Sequence, residues 1–212
     1  ALQFLSCLET DPLNLQDGLF TSHEALLLEF EQAMTRYDTF SGRWFDTSAH
    51  MVWVGDRTRQ LDGAHVEFLS GVANPVGVKV GPSTTPEQLQ ELCDRLDPGY
   101  VPGRLVLISR LGAERVGELL PPLLRAVRDT GHPVVWACDP MHGNTFLSNS
   151  GYKTRHVSDV LAEVGGFFAA TRKEDVHPGG LHLELTGENV TECLGGADEV
   201  FDTDLGNRYE TA

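Results

Sequence analysis

Pro133–Thr145 reads PVVWACDPMHGNT, and its interpretation decides the fold. Val134, Val135, Trp136, Ala137 and Cys138 suit a buried strand, and they run directly into Asp139, Pro140, Met141, His142, Gly143 and Asn144, a break too polar and too kinked to prolong a strand or a helix. A buried strand that ends on a stiff polar turn is a unit of a parallel sheet, where ligands bind at the carboxyl ends of the strands. His142 on that turn is therefore a candidate ligand or proton carrier. The competing reading is a loop histidine satisfied by local hydrogen bonds.

Working outward, the same unit recurs. Strands are expected at Leu19–Thr21, Met51–Val54, Pro75–Val80, Arg104–Ser109, Pro133–Cys138 and Leu181–Leu185. Helical spacing of apolar residues separates them: Ala25, Leu28 and Met34 behind Ser22 as a candidate N-cap; Leu61 to Val72; Leu89, Leu92, Cys93 and Leu96 behind Thr85 and Pro86; Glu114–Arg128; and about Ser158 to Ala170. Pro121 and Pro122 predict a kink or break in the fourth of these. A short helix is expected around Asn189–Leu194, stopped by Gly195 and Gly196. Six strands alternating with helices give an α/β fold with a parallel sheet. An eight-stranded α/β barrel usually takes about 250 residues, and this chain has 212, which fits about six βα units of one.

Composition narrows the function. A formal net charge of -15 speaks against nucleic acid or an anionic membrane as partner, so an anionic substrate needs a local cluster of cations. Cys7, Cys93, Cys138 and Cys193 are widely spaced with no CxxC pair, as expected for reduced thiols. No apolar run reaches the roughly 18 residues of a membrane span, and no secretory signal pattern is visible, so the expected address is cytoplasmic.

The chemistry emerges where the strand ends are compared. The apolar runs stop at His23, at Asp56 and Arg57, at Lys79, at Arg110, at His142 and at Glu184. In a parallel barrel these positions converge on one mouth. Arg57, Lys79 and Arg110 together would form a trap for a phosphate or carboxylate, the guanidiniums giving planar bidentate contacts and the ammonium a point charge. Each taken singly reads first as a strand cap or a local ion pair, because most surface ion pairs carry no function. Lys79 interrupts Val76, Val78 and Val80, so its stem should be buried and its charge partnered. In LHLELTGEN, His182 and Glu184 share one face of a strand and the leucines the other. Glu184 and His142 offer oxygen and nitrogen donors to a metal ion, or form a buried hydrogen-bond network; spacing alone does not choose between them.

The strings TSHEALLLEFEQAMTR, MVWVGDRTRQLDGAHVEF, ANPVGVKVGP, LVLISRLGAERV, DPMHGNT, GYKTRH and HPGGLHLELTGENVTECLGG, closing on RYETA, resemble the class II 3-deoxy-D-arabino-heptulosonate 7-phosphate (DAHP) synthases in order and spacing from about Leu19 to Ala212. The resemblance implies a (β/α)8 barrel of the TIM type, here incomplete. Residues 1–18 would form a helical or irregular lead-in, and residues 19–212 the later part of a single catalytic domain. It implies condensation of phosphoenolpyruvate with erythrose 4-phosphate and release of phosphate, the entry to the shikimate pathway, with Mn2+ or Co2+ as the divalent metal. Arg57, Lys79 and Arg110 would hold phosphoenolpyruvate with Asp56 beside them, where the family commonly has Glu. His142 and Glu184 would be metal ligands, and Lys79, His142 and Glu184 the catalytic set. Lys153 and Arg155 in GYKTRH would contact the second substrate or a leaving phosphate, or else brace their loop.

The family's remaining ligands, a cysteine on an early strand and an aspartate in a CDP motif after YETA, are not in this sequence. Cys138 is no substitute by motif, but its place near the end of the fifth strand makes it worth testing. Six strands alone would leave two apolar sheet edges bare, so the rest of the barrel or a homo-oligomeric partner is expected to cover them. The competing reading is a truncated, non-catalytic homologue that binds phosphoenolpyruvate or a partner subunit.

Overall fold

The computed structural model describes residues 20–184, 188–197, 199–207 and 209. The lead-in expected over residues 1–18 lies outside them, as do Leu19 and Leu185. In chain order the elements are β1 (Ser22–Glu24), α1 (Leu28–Met34), β2 (Thr35–Asp38), β3 (Arg43–Asp46), β4 (Met51–Val54), α2 (Ala64–Gly71), β5 (Val76–Val80), α3 (Pro86–Leu96), β6 (Leu105–Ser109), α4 (Val116–Thr130), β7 (Val135–Cys138), β8 (Phe146–Leu147), β9 (Lys153–His156), α5 (Val157–Lys173), β10 (Pro178–Leu181) and β11 (Cys193–Leu194). Six strands form one sheet in the order β1-β4-β5-β6-β7-β10, every neighbouring pair parallel. The alternation read from the sequence is therefore an α/β fold consistent with part of a TIM-type barrel.

Strand alternation divides the side chains. Val52, Val54, Val76, Val78, Val80, Leu105, Leu107, Trp136 and Cys138 face the helices and pack with Leu89, Leu92, Leu96, Leu120, Leu124 and Phe167 in one core. Trp53, Gly77, Lys79, Val106, Ile108 and Ala137 have the opposite parity. The sheet curls strongly toward that inner face. The Trp53 ring, on the second strand in sheet order, meets the His182 ring just past the sixth edge-on, with centroids 4.8 Å apart. Gly77 makes room for this, since a Cβ there would lie 2.8 Å from that of Trp53. Val135, Leu181 and Leu183 are exposed, which leaves the β10 edge uncovered among the described residues, while Lys79 and Ile108 on the inner face are buried.

Several boundaries differ from the sequence expectation. The clearest helix start is confirmed in detail: Thr85 and Gln88 form a reciprocal capping box ahead of Pro86. Ser22, expected to cap a helix, is instead the first residue of β1, and α1 begins only at Leu28. The segment after α1 folds into the hairpin β2–β3, closed by Gly42 at φ +68° with Tyr37 paired across to Trp44. Pro121 and Pro122 do not break α4, which continues from Val116 to Thr130. They fall in its second turn, where only two early backbone bonds are lost, and the buried stripe of Leu120, Leu123, Leu124 and Val127 holds the rest. The sixth strand lies earlier than expected, at Pro178–Leu181, because Gly179 lets the backbone approach Val135 and Trp136. Asn189–Leu194 is not a helix; Cys193 and Leu194 pair with Arg155 and His156 of β9.

Candidate active site at the carboxyl ends of the strands

The polar turn after β7 is built on Asp139, which is fully buried. Its Oδ1 accepts the backbone N–H groups of Met141 (3.0 Å) and His142 (3.2 Å), and this folds the chain sharply back at Pro140. Its Oδ2 accepts from His142 Nδ1 at 2.7 Å and from the Lys79 ammonium. Burial alone would raise the Asp139 carboxyl, but the His142 hydrogen bond and the Lys79 charge outweigh it and hold the group well below the usual carboxylate range. The buried partner that the sequence demanded for Lys79 is thus Asp139, two strands away across the curl of the sheet.

With Nδ1–H donating to Asp139, the lone pair of His142 Nε2 faces Glu184 Oε1 at 3.2 Å. Two electron-rich atoms so placed require a proton or a cation between them. Glu184 Oε2 is buried without a hydrogen-bond partner among the described residues. A carboxylate behind a histidine whose other nitrogen faces an acid is the arrangement that orients a metal-binding imidazole. These two donors fit a divalent ion as part of its coordination, and among the described residues no cluster of three or more ligating groups is found.

On the other side of the mouth, Asp56 Oδ2 accepts from Arg110 Nη1 at 3.1 Å, and its Oδ1 accepts from Arg59 Nε at 2.8 Å and from Gly81 N at 3.2 Å. Gly81 has no room for a side chain, because a Cβ would lie 2.3 Å from Asp56 Oδ2. Arg110 Nη2 continues to the carbonyl of His142 at 3.2 Å, so the guanidinium ties two strand ends together. A cavity of about 290 Å³ results, lined by Trp53, Arg57, Lys79, Arg110, His142 and Glu184 among others. Asp139 offsets Lys79 and Asp56 offsets Arg110, whereas Arg57 and Lys153, both exposed and both lining the cavity, have no acid partner among the described residues.

The structure thus brings together Asp56, Arg57, Lys79, Arg110, His142, Lys153 and Glu184. Arg155 is set apart. Its guanidinium is fully buried against Glu192 at 2.7 Å, beside Cys193, and does not line the cavity. Cys138 points the other way, into the helix-facing core, where burial first and the Glu163 charge second push its thiol far up. One residue earlier or later on β7 the side chain would have faced the mouth. The same parity removes His23, whose Nε2 donates to Glu31 (2.8 Å) on the outer face, and puts Glu24 in the cavity. His182 shares the inner face with Glu184, as alternation predicted, and burial and the Lys79 charge pull its imidazole down to about 4. Glu24, Arg59 and Asp139 were missed by the sequence reading, although DPMH itself carried the signal for Asp139.

The sequence model described as the class-II DAHP synthetase family matches residues 1–212. A phospho-2-dehydro-3-deoxyheptonate aldolase, AroG, of Mycolicibacterium smegmatis is 53% identical over 217 aligned residues, covering 100% of this chain and 47% of that protein. A phospho-2-dehydro-3-deoxyheptonate aldolase of Streptomyces coelicolor is 53% identical over 213 residues, again with 100% and 47% covered. The chain therefore spans about half the length of these curated relatives. No helix among the described residues is long and apolar enough to cross a membrane.

Proposed function

The chain belongs to the class-II DAHP synthetase family, and from that premise we propose that it forms the later part of the catalytic barrel of a 3-deoxy-7-phosphoheptulonate synthase. The reaction joins C3 of phosphoenolpyruvate to the aldehyde carbon of erythrose 4-phosphate; water adds at C2 and inorganic phosphate leaves. One observation carries this reading: Arg57, Lys79, Arg110, His142 and Glu184, distant in sequence, share one cavity at the carboxyl ends of parallel strands.

Arg110, pinned by Asp56 and by the His142 carbonyl, presents a fixed guanidinium, and fixed donors are what a phosphate or carboxylate rewards. Arg57 and Lys153, which line the cavity with no acid partner among the described residues, supply further positive charge. Lys79 gives one of its three N–H bonds to Asp139, which leaves two for substrate oxygens. Its ammonium is 5.7 Å from the centre of the Trp53 ring, a wall that limits water around it. His142 and Glu184 would hold a divalent ion such as Mn2+ or Co2+, which when bound supplies Lewis-acid polarisation of the aldehyde oxygen. Asp139 keeps the His142 ring in the orientation that presents Nε2. Among the described residues β1 and β10 each pair on one side only, which fits a chain that spans about half the length of its relatives.

The test is a phosphate-release assay on the full-length protein with Mn2+, with and without each substrate. Release from phosphoenolpyruvate that depends on erythrose 4-phosphate supports the assignment, with Lys79→Met slowing it at least about 100-fold. Release that is absent, or indifferent to erythrose 4-phosphate, overturns it.

A further inference from the structure

Glu163 lies in the buried stripe of α5 with Phe167, Ala170 and Thr171, and is completely inaccessible. Its Oε1 accepts the backbone N–H groups of Leu111 (2.7 Å) and Gly112 (2.9 Å), and its Oε2 accepts from Asn144 Nδ2 (2.8 Å). Leu111 and Gly112 directly follow Arg110, and Asn144 stands two residues after His142. Asn144 closes the same loops from its own side: Oδ1 accepts Ala113 N at 2.8 Å and Nδ2 donates to the Pro140 carbonyl at 2.8 Å. The two loops are in backbone contact at their glycines, since a Cβ on Gly143 would lie 2.5 Å from Gly112 N and Gly112 itself has φ +85°. The helix is held in place too, as Gly166 brings α5 against Val116 of α4.

Burial is the largest influence on the Glu163 carboxyl and raises it, even against three donors. A buried acid costs stability when ionised, so its presence calls for a purpose other than holding the core together.

We propose that Glu163 is a positioning residue for the cavity: through Leu111, Gly112 and Asn144 it sets the separation of Arg110 from His142, and thereby the affinity for the anionic substrate. This rests on the reading that the cavity binds phosphoenolpyruvate. Glutamine at this position has the shape of glutamate but only one acceptor atom, so its NH2 must face either the loop N–H groups or the Asn144 amide, donor against donor. The loops then part.

The experiment compares E163Q, N144A and the double variant in the full-length protein, by calorimetric titration with phosphoenolpyruvate well below the unfolding temperature, by the split between KM and kcat, and by thermal unfolding. E163Q is expected to bind phosphoenolpyruvate about tenfold more weakly and to raise its KM in step, with a smaller loss for N144A and a double variant little worse than E163Q alone. A Kd within about twofold of the parent overturns the proposal, whatever the melting temperature does. If E163Q does not fold, N144A carries the test by the same criterion. Arg110→Ala separates the two levels: weakened binding there with none in E163Q refutes the role of Glu163 alone, and unchanged binding in both refutes the assignment of the cavity.

Discussion

The two ends of the barrel fragment bury charge in different ways. At the amino ends of the strands, Arg104 donates Nε to the Leu96 carbonyl (3.1 Å), Nη2 to that of Leu69 (2.8 Å) and Nη1 to that of Asn74. Asn74 in turn clasps the backbone of Asp46 in both directions and the Ala49 carbonyl. Glu31 is closed off by His23 and Ser48. The buried guanidinium there is spent on the protein's own carbonyls, although the Asp46 and Asp97 carboxylates each keep one oxygen without a hydrogen-bond partner among the described residues. At the carboxyl ends the pairing is incomplete: Arg57 and Lys153 have no acid among the described residues, Lys79 has N–H bonds to spare, and Glu184 Oε2 has no partner. Satisfied charge fixes a fold, and unsatisfied charge around a cavity is capacity for a ligand.

That contrast fails if substitutions at the two ends have the same consequences. The largest effect is expected from Arg110→Ala. It should lower kcat/KM for phosphoenolpyruvate about 1000-fold, the scale of removing a charged donor from a preorganised site. The unfolding temperature should barely move, because the side chain is partly exposed and its acid partner Asp56 keeps Arg59. Full activity with collapsed stability would reverse the roles assigned to the two ends. Next comes Arg104→Met, which keeps much of the apolar stem but strips three buried carbonyls of their donor. The expected cost is about 3 kcal/mol in the denaturant midpoint of the full-length protein, with phosphoenolpyruvate affinity of the folded molecule unchanged. Altered affinity there would show that the lower end reaches the site.

How much of this was legible beforehand follows the same division. Strands with two buried faces read plainly as continuous runs, and their last residues named Lys79, Arg110 and His142, because the mouth of a parallel barrel is fixed by topology. Asp139 was in view but not its function, since a buried acid after a strand declares itself only when its partner on another strand is known. Glu163 had a signal, an acid on the apolar stripe with Phe167, but periodicity states only that the position is buried. Edge regions were least readable. The β10 strand starts three residues earlier because Gly179 permits a close approach to Val135 and Trp136 that no alternation pattern encodes. At β1 a small shift exchanged His23 for Glu24 in the cavity. The β2–β3 hairpin was not anticipated, since the segment after Met34 carried little signal beyond the turn before Gly42.

The smallest effect, and the finest division between the ends, concerns Asp46. Its carboxylate is buried beside that of Glu31, and its Oδ2 has no hydrogen-bond partner among the described residues. Burial chiefly, and the neighbouring Glu31 carboxylate next among the raising influences, push the Asp46 carboxyl up, against the pull of Ser48. A group whose folded value is raised stabilises the fold most when protonated, so its contribution is full below the ordinary carboxylate range and is lost as pH rises through the folded value. Asp46→Asn resembles the protonated form at every pH, its NH2 able to donate toward Glu31. The variant should match the parent near pH 3 and exceed it by about 1 kcal/mol at pH 7, the worth of one ordinary hydrogen bond. Unfolding midpoints across that range check it. Activity should not change, because neither Asp46 nor Glu31 lines the cavity; a gain in stability bought with lost activity, or a loss of stability at neutral pH, would mean that the ionised pair is itself part of the working site.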